Sequence, residues 1–310
     1  MKRPVEVGVL VPNGFMGKAP EPQEFAEFFR AVEELGFHSL WAMERVIHAQ
    51  ATVYHPFTTL AWAASMTSRV RLGTAVVLAT LRHPLLLAKA AATLDYMSGG
   101  RFTFGISLGG RPEEYQTLGI PMRQRPRRLE ETIALLRQLF SGKEVSFQGR
   151  HFPYEGPSVG PRPRTAGGIP IVLGGTVEPL LRRAGALADG WIAGATGTWT
   201  PEQFRERWQK VERYAREAGR DPSTLEAGMQ LYFAVDDTAE KARQRLAPRV
   251  SGYYGPRFDA EKCVYGPPEV CAEKLRAFVD AGVRTLILSP VWPSVRELER
   301  IQRQVVPLLR

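Results

Sequence analysis

The feature that most constrains the fold is the alternation of short apolar runs with amphipathic segments of helical length. Eight such units follow one another along the chain. The apolar runs are Val5–Val11, Phe37–Met43, Val70–Leu78, Arg101–Leu108, Ile169–Leu173, Trp191–Ala195, Leu225–Val235 and Val283–Ser289. The first run is apolar on both faces, as parallel strands covered on each side require. Eight βα units in 310 residues predict an α/β fold of the (β/α)8 TIM-barrel type rather than a doubly wound sheet. No GxGxxG follows the first run, which also disfavours a dinucleotide-binding half.

Two irregular stretches interrupt the alternation. The first, roughly residues 143–168, follows the fourth long helix and is rich in Gly, Pro and aromatic residues, which indicates a β-hairpin insertion. The second, residues 251–268, precedes the last helix–strand unit. We therefore expect residues 1–310 to form a single barrel domain with two insertions.

Charge and cysteine usage narrow the class of protein. The chain has 41 Lys and Arg against 32 Asp and Glu, but segments such as Arg205–Arg207 alternate basic and acidic residues. Such alternation is typical of solvated helix faces, so we expect no nucleic-acid groove. The positive excess instead suits an anionic small ligand. Cys263 and Cys271 form no CxxC, and the chain contains no signal-like or membrane-spanning run. These features predict a cytoplasmic protein that does not enter a membrane.

The carboxyl ends of the strands should carry the chemistry, because active sites of such barrels lie there. These ends hold no His-x-His and no cluster of carboxylates and histidines, and the strands contain no lysine. A metal site and a Schiff-base aldolase are therefore disfavoured. Gly174-Gly175-Thr176 lies between a buried strand and a helix. Backbone N–H groups there can approach a phosphate at the helix N-terminus, although a tight βα turn would look the same.

Five motifs in order carry a specific resemblance. They are Ser39-Leu40-Trp41-Ala42-Met43-Glu44-Arg45, Arg71-Leu72-Gly73-Thr74-Ala75-Val76, His83-Pro84-Leu85-Leu86-Leu87-Ala88-Lys89, Leu94-Asp95-Tyr96-Met97-Ser98-Gly99-Gly100-Arg101 and Glu113-Glu114-Tyr115-Gln116-Thr117-Leu118-Gly119. Together they resemble the luciferase-like flavin monooxygenase family, particularly the branch that uses the deazaflavin coenzyme F420. The resemblance implies an oxidoreductase that transfers a hydride between coenzyme F420 and a small organic substrate, and homodimers are common in the family.

The resemblance also implies candidate catalytic residues at the end of the second strand. The family has an acidic residue followed by His there, and Glu44 matches the acidic position while Arg45 replaces the His. An arginine cannot cycle a proton, but it can stabilise developing negative charge; a Glu44–Arg45 structural pair is the alternative. Some deazaflavin members place a catalytic Glu just after the fourth strand, where this chain has Gly109-Gly110. His48 is therefore the third candidate, as an acid or base.

For the cofactor, the resemblance implies a non-prolyl cis peptide at Ala75-Val76, forming a bulge behind the ring. Residues at the ends of the first, fourth and fifth strands are added to these two, so the candidate cofactor-binding residues are Asn13, Ala75, Val76, Gly109, Gly174, Gly175 and Thr176.

The choice between two cofactors depends on the end of the fourth strand. The bacterial luciferase branch has an Arg there for the flavin phosphate, whereas this chain reads Ser107-Leu108-Gly109-Gly110. We therefore favour F420 over flavin mononucleotide (FMN), and its polyglutamate tail would suit a basic rim of Arg123, Arg125, Arg127 and Arg128. An FMN-dependent monooxygenase that uses O2 and a non-catalytic cofactor-binding paralogue remain open. Segments Phe15–Pro20, Val46–Tyr54 and Ser251–Phe258 are expected to shape the substrate pocket.

Overall fold

A computed structural model describes residues 4–194, 200–255, 258 and 260–309. In this part of the chain, eight parallel strands form one closed barrel. They are β1 (Glu6–Leu10), β2 (Ser39–Ala42), β3 (Arg71–Thr74), β4 (Phe102–Ser107), β5 (Ile171–Gly174), β6 (Gly190–Ala193), β7 (Glu226–Val235) and β8 (Thr285–Ser289). Each strand pairs with the next one along the chain, and β8 pairs with β1 to close the barrel. The predicted TIM barrel is confirmed.

Helices cover the outside of the barrel. They are α1 (Pro22–Glu34), α2 (Pro56–Met66), α3 (Pro84–Met97), α4 (Pro112–Thr117), α5 (Arg125–Leu139), α6 (Glu178–Leu187), α7 (Pro201–Glu217), α8 (Ala239–Tyr254), α9 (Pro268–Asp280) and α10 (Val295–Arg300). Most have a proline in the first turn, where a missing N–H costs no hydrogen bond. The last helix continues through a π-helical turn, Ile301–Val305, and a 3-10 turn, Val306–Leu309. None of the described helices is both long and apolar enough to span a bilayer.

The first irregular stretch contains the predicted hairpin. Val145–Phe147 pairs antiparallel with Tyr154–Gly156. Glu131 of α5 fixes the tip, because its carboxylate accepts hydrogen bonds from the N–H groups of Arg150, His151 and Phe152 at 2.8–3.2 Å. The hairpin is therefore a packed part of the barrel wall rather than a linker.

The second irregular stretch begins later than predicted. Residues 251–254 are the last turn of α8, and Val264–Gly266 adds a short strand parallel to the end of β7. Ser251 and Gly252 are poor helix formers, which is why the sequence suggested an end at this point. The buried ring of Tyr253 packs on His48, with 4.6 Å between ring centroids, and this tertiary contact continues the helix.

Large side chains fill the barrel below its carboxyl end. Leu10, Trp41, Val172, Ile192 and Ile287 form one buried interior cluster with Ala75. The indole of Trp41 lies against Gly73 so closely that a Cβ there would meet it at 2.3 Å, and its Nε1 donates to Ser39 Oγ at 2.8 Å. The interior is thus closed from below, and open space lies above it at the rim.

Candidate active site

A cavity of about 280 Å³ opens at the carboxyl ends of the strands. Seven of the predicted site residues line it: Glu44, Arg45, Ala75, Val76, Gly174, Gly175 and Thr176. The remaining described lining residues are Met43, Leu78, Ser107, Ile192, Gly194, Gln230, Tyr253 and Tyr254. Barrel closure explains the convergence, because it brings the ends of distant strands to one rim.

The third strand is interrupted at one wall of the cavity. The Ala75-Val76 peptide is cis, as the family resemblance implies, and a short strand, Val77–Leu78, resumes the pairing with β4. The backbone at this point lies close to its neighbours. A Cβ on Gly105 would meet the carbonyl oxygen of Thr74 at 1.8 Å, and a Cβ on Gly174 would meet Val76 Cγ1 at 2.7 Å. Glycines on β4 and β5 therefore leave room for a shelf made by Ala75 and Val76.

The Gly174–Thr176 turn forms the adjacent wall. Gly175 has a φ of +133°, and a Cβ there would meet Leu180 of α6 at 2.2 Å. The carbonyls of the turn are already engaged, since Ser107 Oγ donates to Gly174 and Trp191 Nε1 donates to Gly175. The φ of Gly175, together with its packing against α6, is thus sufficient to require glycine at position 175.

Glu44 is held by an arginine that the sequence did not point to. Arg82 donates from Nη2 to Oε1 at 2.6 Å and from Nη1 to Oε2 at 2.8 Å, and the N–H of Leu78 donates to Oε2 at 2.7 Å. The Glu44 side chain is 2% exposed. The alternative of a Glu44–Arg45 pair is therefore wrong: the ion pair joins Glu44 to Arg82. Both carboxylate oxygens are occupied as acceptors.

Arg45 lines the same cavity without a counter-charge. Its Nε is buried and has no hydrogen-bond partner among the described residues. No described ion pair within 4 Å includes it. Glu114 of α4 holds the loop that follows Arg45, because its Oε1 accepts from the N–H groups of Val46 and Ile47 at 3.1 and 3.4 Å. The loop is fixed by these bonds while the guanidinium of Arg45 remains unpaired.

Two tyrosines at the end of α8 form the wall beside Arg45. The hydroxyl of Tyr254 bonds to that of Tyr232 on β7. Burial raises the pKa of Tyr254 to about 12, although the nearby positive charges of Arg45 and Arg111 oppose the rise. Burial likewise raises the pKa of Tyr232 well above its usual value. Tyr232 and Tyr254 are therefore neutral phenols near neutral pH. The sequence indicated only that residues 251–258 would shape the pocket.

Three predicted site residues do not line the cavity. Asn13 is buried beneath it, where its side-chain amide bonds to the backbone of Met43 and Tyr54. Gly109 has a φ of +72° at the β4–α4 turn, and its carbonyl accepts from Arg125. His48 Nδ1 accepts from the N–H groups of Gln50 and Ala51, so its Nε2 donates to the carbonyl of Tyr253 at 3.0 Å. These contacts are structural.

The predicted basic rim is largely engaged in holding the fold. Arg127 pairs with Glu131, and Arg128 donates to the carbonyl of Thr80 and covers the ring of Phe152 at 4.5 Å. Arg125 binds Gly109 as described above. Of the four arginines, only Arg123 is exposed without such a contact in the described structure.

A larger cavity of about 440 Å³ lies at the opposite, amino end of the barrel. Its charged groups are mostly paired: His38 lies 3.3 Å from Glu6, and Arg137 lies 3.1 Å from Asp189. In barrels of this kind the amino end contributes stability and the carboxyl end carries the reaction. We therefore assign the smaller cavity as the candidate active site.

The structure combines a closed (β/α)8 barrel with a candidate active site at its carboxyl rim. Residues 5–259 match the family described as luciferase-like monooxygenase. The chain therefore belongs to the luciferase-like monooxygenase family, and it is an oxidoreductase.

Relatives within the family divide between two kinds of chemistry. The F420-dependent glucose-6-phosphate dehydrogenase of Nakamurella multipartita is 28% identical over 320 residues, which cover 93% of each chain. The 4-hydroxyprotoasukamycin monooxygenase of Streptomyces nodosus subsp. asukaensis is 30% identical over 231 residues, covering 72% of this chain and 61% of the relative. The structure of an F420-dependent secondary alcohol dehydrogenase superposes with a TM-score of 0.83 at 21% identity, covering 99% of this chain and all of the other. That last likeness concerns the fold.

Proposed function

We propose that this protein transfers a hydride between coenzyme F420 and a small organic substrate at the rim cavity. The observation that carries the proposal is the shelf at Ala75-Val76, which lies beside the Gly174–Thr176 turn in the wall of a cavity of about 280 Å³. The similarity to the Nakamurella F420-dependent enzyme, which extends over nearly the whole of both chains, supports this choice of cofactor.

The described residues fit a flat ring. The volume is at the lower end for a small-molecule site, so the cavity suits the ring system, with the tail outside it. Ala75 and Val76 would lie behind the ring, and the backbone of Gly174–Thr176 would approach the phosphate near the start of α6. Bound there, F420 would supply the carbon that accepts or gives the hydride.

Four side chains in and around the cavity would supply the other functions of the site. Glu44 is a charged acceptor fixed by Arg82, so it shapes the wall rather than presenting a proton. Arg45 supplies a fixed positive charge beside the reacting atoms. Tyr254, a neutral phenol, can donate a hydrogen bond into the cavity when Tyr232 is the donor in the bond between their hydroxyls. His48, whose ring nitrogens are both engaged, acts by holding Tyr253 in place.

FMN is the second candidate cofactor, and the monooxygenase relative favours it. The shelf and the glycine turn would serve a flavin ring equally well. A non-catalytic paralogue would bind the cofactor as either of these two enzymes does, but it would convert no substrate.

Titration of the purified protein with F420 and with FMN at the same salt concentration tests the proposal. We expect F420 fluorescence to report tighter binding than flavin fluorescence does, because the end of β4 lacks an Arg for the flavin phosphate. Tighter binding of FMN would reject the F420 assignment. Binding of F420 without any turnover across a broad panel of neutral and anionic alcohols and ketones would favour the paralogue.

The proposal also covers the domain organisation, the cellular location and the oligomeric state of the protein. Residues 1–310 act as one catalytic domain, because closure of the barrel pairs β1 with β8. We place the protein in the cytoplasm, consistent with the buried thiols of Cys263 and Cys271. A homodimer is the expected assembly, and light scattering after size-exclusion chromatography would measure it.

A further inference from the structure

We propose that the substrate carries an anionic oxygen group, a carboxylate or a phosphate, that binds the guanidinium of Arg45 at the cavity wall. This inference rests on the proposed function and adds the chemical class of the substrate. It begins with the unpaired state of Arg45, whose buried Nε has no partner among the described residues.

The acidic neighbour that would ordinarily neutralise this arginine is already committed. Glu44 precedes Arg45 in the chain, but both of its oxygens accept from Arg82. A buried polar group without a partner costs free energy, so a group of this kind at a cavity wall indicates a ligand that completes it. A guanidinium matches a carboxylate or a phosphate with two parallel hydrogen bonds.

The surroundings of Arg45 add positive charge. Arg45 and Arg111 both lie close enough to Tyr254 to oppose the rise of its pKa, and Arg249 does the same at Tyr232. In the described structure, Arg111 lies 3.5 Å from the half-exposed Glu113, and no described ion pair within 4 Å includes Arg45 or Arg249. The buried carboxylate of Glu114 also lies at this loop, where it accepts from backbone N–H groups, so three positive charges face two negative ones. The neighbouring tyrosines are neutral. This side of the cavity therefore attracts an anion.

The position of Arg45 favours the substrate over the cofactor tail as the source of that anion. Arg45 follows β2, whereas the turn proposed to approach the cofactor phosphate follows β5, three strands away around a barrel of eight. Arg45 also projects from a loop fixed by Glu114 through the N–H groups of Val46 and Ile47. A rigidly mounted charge of this kind can orient the reacting carbon of an anchored substrate.

Calorimetric titration of the cofactor-free, full-length protein with inorganic phosphate tests the anion site directly. We expect Arg45→Gln to weaken phosphate binding by about tenfold or more, because charged hydrogen bonds are lost, and Arg45→Lys to weaken it less. Arg123→Gln, which removes an exposed rim charge, is the matched control and should change the affinity less than about twofold. Circular dichroism and the unfolding temperature verify that each variant is folded. Equal phosphate binding by wild type and Arg45→Gln would overturn the proposal.

Titration of the same variants with F420 separates the possible outcomes. If F420 affinity is unchanged in Arg45→Gln and phosphate still binds the F420-loaded wild type, the anion belongs to the substrate. If F420 displaces phosphate from Arg45, the anion is the cofactor tail and the substrate assignment is wrong. If wild type binds no F420, the proposed cofactor fails, while phosphate binding at Arg45 is still measured independently. In the loaded enzyme, a hydroxy acid should exceed its neutral alcohol analogue in kcat/KM, and Arg45→Gln should remove that preference.

Discussion

Arg82 binds Glu44 through both of its terminal nitrogens, at 2.6 and 2.8 Å, across the wall of the rim cavity. The two side chains differ in burial, with 2% of the Glu44 side chain exposed and 25% of that of Arg82. The carboxylate is therefore sealed in the wall while the guanidinium reaches water on one side. From this geometry we expect Glu44 to have a structural role in the site.

Breaking this pair should destabilise the protein more than it changes the chemical step. Glu44→Gln and Arg82→Met should each lower the free energy of unfolding by about 2–4 kcal/mol, because each leaves a partly buried partner uncompensated. The double variant should recover part of the loss, with a coupling energy of about 1–3 kcal/mol. Urea unfolding of the four proteins measures the cycle. Strictly additive losses, or a fall in kcat of Glu44→Gln without any loss of stability, would return Glu44 to a catalytic role.

The glycines around the cavity should respond differently to an added side chain. A Cβ on Gly194 meets no described atom within 4 Å, whereas one on Gly175 meets Leu180 at 2.2 Å at a φ of +133°. Gly194→Val should therefore weaken cofactor binding on the order of tenfold, or about 1.4 kcal/mol, with an unchanged unfolding temperature. Gly175→Ala should mainly lower the unfolding temperature, because the added Cβ is strained in the folded protein. Normal cofactor affinity in folded Gly194→Val would place the ring elsewhere.

The alternation of strands and helices predicted the barrel and the position of Gly174 and Gly175 at its rim, because the topology brings the strand ends together. Ala75 and Val76 were implied only by the family resemblance. The sequence could not predict the partner of Glu44. Arg82 is 38 residues away, and only side-chain packing selects it among many arginines. Helix α4 was missed because Pro112–Thr117 is too short to show a helical period.

His48 should stabilise the contact between its loop and the end of α8 rather than act as an acid or base. Its ring joins the backbone of Gln50 and Ala51 to the carbonyl of Tyr253 and packs on the Tyr253 ring. His48→Ala should therefore lower stability by roughly 1–3 kcal/mol, through the loss of these hydrogen bonds, and should raise KM. The shape of the kcat–pH profile should not change, and steady-state kinetics between pH 5.5 and 8.5 would establish this. Loss of one limb of the profile in His48→Ala would show instead that this histidine titrates during turnover.

The buried tyrosine pair predicts how the protein responds to alkali. Burial raises the pKa of Tyr254 to about 12, above the value of about 10 for the unfolded chain. Because the folded state favours the neutral phenol, this contribution to stability is complete below pH 10 and is lost as the pH rises towards 12. Unfolding midpoints should fall across that interval, and Tyr254→Phe should reduce the slope. A further reduction should follow in the double variant with Tyr232→Phe, since burial raises the pKa of Tyr232 as well.

Tyr96→Phe, at an exposed position, is the matched control. Tyrosinate absorbance near 295 nm measures the ionisation directly. If all tyrosines of the folded protein ionised together near pH 10, the Tyr232–Tyr254 pair would not be a buried, neutral wall of the site, and the net positive charge inferred around Arg45 would be smaller at high pH.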